Sequence, residues 1–255
     1  MSGIKKTTNQ EDQETKAYNW VLLASVLLVL ALIVQMPARI VANFLPKDAR
    51  AMFGAWGGTV WAGQVNGQYQ GQQGQFRWSM QPLSLFALKL SFKVEFLTGS
   101  SQIPADLVVS MGGIRFKTDH GKLSPIDVQP LLTGWQLPNT PILINGLDVQ
   151  KSGQNWQGTQ GLLTWQAGAT DYVLNGQRQH LNLPPVALKL NGQQQSLIMS
   201  LQDEQQTVNL ATFTITGAMV ESRLTQRLLS YAPNYRGVAE PDAVVVTASQ
   251  PLSSL

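Results

Sequence analysis

The sequence predicts a mainly β protein: one N-terminal transmembrane helix, then a curved antiparallel sheet domain, open or half-barrel, with a short C-terminal helix. Three observations predict it. An uncharged apolar run stands near the N-terminus, stretches with period-two alternation follow it, and Gly, Asn and Pro turn signals separate those stretches. With 255 residues the chain has room for one anchor and one domain of ordinary size. Hydrophobic residues at 44% support a core, while charged residues at only 13% leave Gln, Asn, Ser, Thr and the 22 Gly to carry polarity. That balance suits strands and turns with a neutral, hydrogen-bonding outer surface.

No charge falls between Lys16 and Arg39. The intervening Ala17 to Ala38 would rise about 33 Å as a helix, close to the ~30 Å hydrocarbon core of a bilayer. Its dense part carries Trp20, Val21, Leu22, Leu23, Leu27, Leu28, Leu30, Leu32, Ile33 and Val34, with Tyr18 and Trp20 where interfacial aromatics belong. No small-x-small cleavage site follows Val34, so an uncleaved signal anchor is expected in place of a cleaved signal peptide. Lys5, Lys6 and Lys16 before the span balance Arg39, Lys47 and Arg50 after it, but a long downstream domain translocates largely regardless of charge. Residues 1–16 are therefore expected in the cytoplasm, 17–38 in the membrane and the bulk outside.

Residues 39–56, mixed apolar and basic, read as a membrane-proximal connector that Pro46 keeps from forming one long helix. A β-domain is expected over 57–231. Its firmest strand is Phe86 to Phe96, where Phe86, Leu88, Leu90, Phe92, Val94 and Phe96 alternate with Ala, Lys, Ser, Lys and Glu, giving one dry and one wet face. Further strands are expected at Ile114 to Thr118 and Ala211 to Ile215. Val186 to Leu190 and Leu197 to Leu201 should pair as a hairpin joined at Asn191-Gly192. Val220, Leu224 and Leu228, four apart, predict the helix over Ala218 to Ser230, and its apolar stripe would cover part of the dry strand face. Residues 232–255, punctuated by Pro233, Pro241 and Pro251, are expected to be loosely ordered apart from Ala243 to Thr247.

The chain has no Cys, which excludes disulfides, thiolate metal sites and thiol nucleophiles. His120 and His180 lie in polar, turn-like stretches without partners at a catalytic or metal-binding spacing, and read as solvated loop side chains. Gly63, Gly67, Gly71 and Gly74 lack the lysine and following helix of a phosphate loop, and read as a bulged or flexible strand. Asp203-Glu204 reads as a polar hairpin end. A net charge of +3 without a basic run gives no field for nucleic acid. No catalytic, cofactor-binding or metal residue is assigned, and no enzymatic activity or cofactor is expected.

Two stretches look alike. Trp61-Ala62-Gly63 precedes Phe76-Arg77-Trp78, and Trp156-Gln157-Gly158 precedes Leu163-Thr164-Trp165. Each reads as a Trp-x-Gly turn leading into a strand with a second Trp, which suggests two similar halves. The glycine permits the bend and the indole covers it. Trp61, Trp78, Trp156 and Trp165 read first as core, and in the sharper alternative as contacts for another protein or for lipid.

The N-terminal span, Thr59-Val60-Trp61-Ala62-Gly63, and Phe76-Arg77-Trp78-Ser79-Met80-Gln81-Pro82-Leu83-Ser84-Leu85 running into a long amphipathic strand together resemble the type II secretion system protein N family. The likeness runs from the span to about Leu228. It implies an inner-membrane accessory component of the machine that exports folded proteins, with its sheet domain in the periplasm and other secretion components as partners. Trp61, Gly63, Trp78, Pro82, Trp156, Gly158 and Trp165 are the candidate structural or interaction residues. A more distant similarity to AsmA-like proteins implies the alternative, a lipid-binding or lipid-bridging envelope protein whose apolar strand faces line a groove.

Overall fold

In the computed structural model the described residues are 8–251, apart from 70, 130–134, 175–176 and 234. The outermost parts of both expected tails, 1–7 and 252–255, lie outside them. Helix α1 (Thr8–Val34) leads into a 3-10 helix, η1 (Ala38–Phe44), and then α2 (Lys47–Met52). It stops short of the expected Ala38 because Pro37, extended at φ −65°, has no amide with which to continue the helix. Among the described residues no helix is long and apolar enough to cross a membrane. The side chains of α1 are described only from Trp20 onward, inside the expected span.

The strands of the first part are β1 (Phe53–Gly58), β2 (Ala62–Tyr69), β3 (Gln72–Met80), β4 (Lys89–Thr98), β5 (Gln102–Ser110), β6 (Gly113–Thr118) and β7 (Gly121–Leu123). After α3 (Pro125–Val128) come β8 (Trp135–Gln136), β9 (Ile142–Lys151), β10 (Gln160–Trp165), β11 (Gly168–Leu174) and β12 (Gln177–Leu183). The last part holds β13 (Val186–Gly192), β14 (Ser196–Asp203), β15 (Asn209–Thr216), β16 (Met219–Thr225), α4 (Gln226–Ser230) and β17 (Val244–Pro251). One antiparallel 14-stranded sheet runs β1-β2-β3-β4-β5-β6-β9-β10-β13-β14-β15-β16-β17, with β7 joining β5 and β9. It is open: β1 and β17 end the path. A separate three-stranded sheet, β12-β11-β8, is built from the β11–β12 hairpin inserted between β10 and β13 and from β8, which precedes β9. The stretch from β1 to β7 has no such insertion, so the two parts of the chain differ in layout.

The alternation read from the sequence fixes the faces. Val94 of β4 stands opposite Trp78 of β3 and Ala105 of β5, and Phe92 opposite Met80 and Leu107. The same face continues through Phe116 opposite Leu107 and Val149 opposite Phe116. Beyond the β9–β10 irregularity it runs on through Leu163, Leu188 and Leu201. The other face carries Arg77, Glu95, Lys117 and the bidentate Arg115–Asp148 pair, whose Nε–Oδ1 distance is 2.8 Å. Asp148 holds the Arg115 guanidinium above its ordinary pKa, through hydrogen bonding first and charge second. The surface of 17208 Å² far exceeds the about 11,000 Å² of a compact monomer of this mass. A largely single-layer sheet with a projecting helix accounts for that excess.

Four expectations are corrected. Phe86 does not belong to the firm strand: Pro82–Ala87 form a second 3-10 helix, η2, and Leu88 is left-handed at φ 52°, so β4 starts at Lys89. Asn191 and Gly192 end β13 and the hairpin turn falls at 193–195. The expected helix Ala218–Ser230 is mostly strand β16, and only α4 is helical. Residues four apart share a face in either geometry, so Val220 and Leu224 fit a strand as well as a helix. Thr225 makes the switch. Its hydroxyl donates to Leu210 O at 2.8 Å and accepts from Leu228 N, capping α4. Finally, the ordered segment expected at Ala243 to Thr247 is longer: β17 runs to Pro251 and pairs with β16 along its length.

The expected polar hairpin end is real. Asp203 Oδ1 accepts from the amides of Thr207 (2.7 Å) and Val208 (2.9 Å), and Oδ2 from the Thr207 hydroxyl (2.8 Å). These bonds, Val208's first, hold the carboxyl below its ordinary 3.8. A folded value below the unfolded one means that the stabilisation is present above about pH 4 and disappears as pH falls further. Asp203→Asn should therefore flatten the loss of melting temperature on acidification below about pH 4 relative to the parent protein. Equal acid slopes in the two proteins would refute the role of this turn.

Candidate functional site: an apolar sheet face with clustered aromatics

On the dry face of β1 to β5 the aromatics gather. Phe53 and Trp56 meet edge to face at 5.9 Å, Trp56 and Trp78 at 6.2 Å, and Phe76 stacks on Trp78 at 6.0 Å. The register explains this: Trp56 pairs with Val65, Val65 with Phe76, and Gly63 with Trp78. Gly63 is required by contact. A Cβ there would lie 2.6 Å from Gly57 O and 2.7 Å from the Trp78 ring, so the indole lies where only glycine leaves room. Trp78 Nε1 donates to Val60 O at 3.0 Å, and Trp61 Nε1 to Ile33 O at 2.8 Å. Each half-buried indole thus has a partner for its N–H.

Two adjoining apolar hollows open on this face. One, about 330 Å³, lies beneath η1 and is lined by Val41, Leu45, Trp56, Phe76, Phe92 and Leu107 among others. The other, about 310 Å³, continues toward Met52, Phe96 and Leu123. They share Phe53, Val65 and Phe76, and their linings carry almost no polar surface. The cover expected from a C-terminal helix is supplied here by η1.

The second tryptophan pair lies elsewhere. Trp156 is in the β9–β10 loop with Lys151 Nζ 4.6 Å from its ring centroid, and Trp165, on β10, donates Nε1 to Thr140 O at 2.8 Å. Five strand spacings, about 24 Å, separate β3 from β10. The two motifs are not equivalent bends. Gly158 sits at φ +90°, whereas Gly63 is paired within β2 and has no positive φ. Trp165 lies on the strand its own turn leads into, while Trp78 lies on the next one. The sequence reading missed Phe53 and Trp56, assigning them to the connector; their alternation begins in a strand only six residues long, which α2 abuts. Pro82 opens η2. The glycine series read as strand is the β2–β3 hairpin, with Gly67 facing Gly74.

Of the two histidines, His120 lies exposed between β6 and β7. His180 is on strand β12, not in a loop, with Nδ1 2.7 Å from Asp171 Oδ1 and its side chain 67% exposed. Among the described residues no group of three or more His, Asp or Glu could hold a metal ion.

An open antiparallel sheet with one apolar face, an aromatic cluster and a helix joined to its first hairpin is the architecture of this chain. The family model of type II secretion system protein N matches residues 53–228, which is most of the chain and includes both tryptophan motifs. The chain belongs to that family and is a component of type II secretion. Comparison with curated proteins and with solved structures gave no match.

Proposed function

We propose that the protein is an inner-membrane accessory component of the secretion machine, anchored by α1, with its sheet in the periplasm. It acts by contact rather than by catalysis, offering the aromatic face and the terminal strands β1 and β17 to other secretion components. The observation that carries this reading is the state of α1. From Trp20 to Val34 nearly every side chain is exposed, apolar on all sides, and unpaired with the sheet. Such a helix is stable in hydrocarbon and a liability in water. Counted from Ala17 to the observed end at Val34 it rises about 27 Å, enough for a thin bilayer. A reporter active only in the periplasm, fused to the C-terminus of the full chain, should work, and one active only in the cytoplasm should not. The opposite pattern would overturn the topology and the contact role with it.

The two contiguous apolar hollows favour a second reading, in which the face holds an acyl chain. Phospholipid recovered by extraction of purified protein, and lost on Phe92→Glu, would support it.

A further inference from the structure

The sheet has two ends, and they differ. At one end lie the β1–β2 turn, η2, the β5–β6 turn at Met111, and the β9–β10 loop. At the other lie the β4–β5 turn, α3 and the β14–β15 turn. Helix α1 joins the first end by a continuous set of bonds: Trp61 Nε1 donates to Ile33 O (2.8 Å), Val60 N to Met36 O (2.9 Å), and Met80 N to Trp61 O (2.6 Å). Met80 is the last residue of β3, and η2 begins two residues later.

What η2 displays is unusual. Leu83 is 79% exposed, Phe86 89% and Leu88 80%, with Leu85 beside them and Met111 at 98% across the next turn. The segment is not loose chain. Ser84 Oγ donates to Gln81 O at 2.7 Å and accepts from Ser91 N at 3.1 Å, while Gln81 N donates to Ser91 O at 2.8 Å. Leu88 is held left-handed, a conformation a leucine resists, and the effect is to turn the chain so that its apolar side chains stand outward. A fixed loop that shows water several large apolar side chains is an interaction site. Charge says with what. Loops 59–61, 81–88, 111–112, 152–159, 193–195 and 217–218 contain no Asp or Glu, and Arg39, Lys89 and Lys151 border them. The opposite end carries Asp127, Asp203 and Glu204.

We propose that η2 is a second membrane contact. It seats Leu83, Phe86 and Leu88 among the lipids of the leaflet from which α1 emerges, with the bordering cations toward anionic headgroups. The inference rests on the reading of α1 as the anchor. Its consequence is orientational: with two attachments the strand ends meet the bilayer, and the hollow beneath η1 opens beside it.

The absence of Cys makes the test direct, because one introduced Cys carries one label. The full chain is reconstituted in nanodiscs of phosphatidylethanolamine and phosphatidylglycerol with brominated acyl chains. An environment-sensitive fluorophore is placed at Leu28→Cys, Phe86→Cys or Ser100→Cys, the last in the β4–β5 turn of the far end. The expected result is blue-shifted, bromine-quenched emission at 28 and 86 and neither change at 100, with Leu83→Cys repeating the result at 86. Quenching at 28 without quenching at 83 and 86 overturns the second contact and leaves the anchor standing. Quenching at 100 as well overturns the orientation. No quenching at 28 refutes the anchor itself. A label at 86 that stays unquenched in lipid but becomes shielded on adding other secretion components assigns the loop to protein and overturns the proposal.

Discussion

Val94→Asp should leave no folded sheet, while Leu90→Asp four residues away on the same strand face should be tolerated. Val94 is 7% exposed between Trp78 and Ala105 and lines the apolar hollow beneath η1. Burying an unpaired polar group costs about 2–7 kcal/mol, and an ionised one more, against a total stability on the order of 5–15 kcal/mol. Leu90 is 39% exposed near the η2 end of β4, so its carboxylate reaches water and the loss should stay near about 1 kcal/mol. Melting curves and protease resistance of the full-length variants in detergent separate the two. A Val94→Asp protein that melts with the parent would mean that the aromatic face is not a packed surface.

Gly192→Ala should be severely damaging. A Cβ there would overlap the Trp156 carbonyl oxygen and lie 2.7 Å from Thr159 Cβ. The approach is fixed by Gly192 N donating to Thr159 O (2.7 Å) and Trp156 N to Gln194 O (3.0 Å), which clamp the β9–β10 loop on the β13–β14 hairpin. The obstacle is backbone and cannot rotate away, so a loss of about 3 kcal/mol is expected. Gly217→Ala is the comparison: its φ of +60° strains an alanine, but the space is open, and about 1 kcal/mol should suffice. Urea midpoints that rank the two the other way would refute the clamp.

Much of the sheet was legible because period-two alternation survives where a strand has one dry and one wet face, as in β4, β6, β13, β14 and β15. The signal failed where apolar residues do not report burial. Phe86 and Leu88 continue the alternation of β4, yet they stand exposed outside the sheet, on η2 and just after it, because a hydropathy pattern cannot distinguish a core face from a displayed one. Val220 and Leu224 failed for another reason: their spacing satisfies both periods, and the strand wins through pairing with β15 and β17, which the local sequence does not encode. Within the candidate site, Trp61, Gly63 and Trp78 were found from the motif and do share one corner. Trp56 was missed because β1 offers too few residues for a period, and the two Trp-x-Gly copies proved to be different bends.

The order of strands has a consequence for how the domain is made. Nearly every neighbour in the large sheet is also a neighbour in the chain; the exceptions are the steps from β6 to β9 and from β10 to β13, with β7 bridging the first. Pairings between consecutive strands need only short loop closures, so each can form as soon as its second strand is available. On the topology proposed above, a polypeptide threaded across a membrane from its N-terminal anchor would release those strands one at a time, in the order in which the sheet uses them. Each newly delivered strand finds the edge of the last one waiting, and β1, already bonded to the end of α1 through the adjoining turn, is the template on which the rest is laid down.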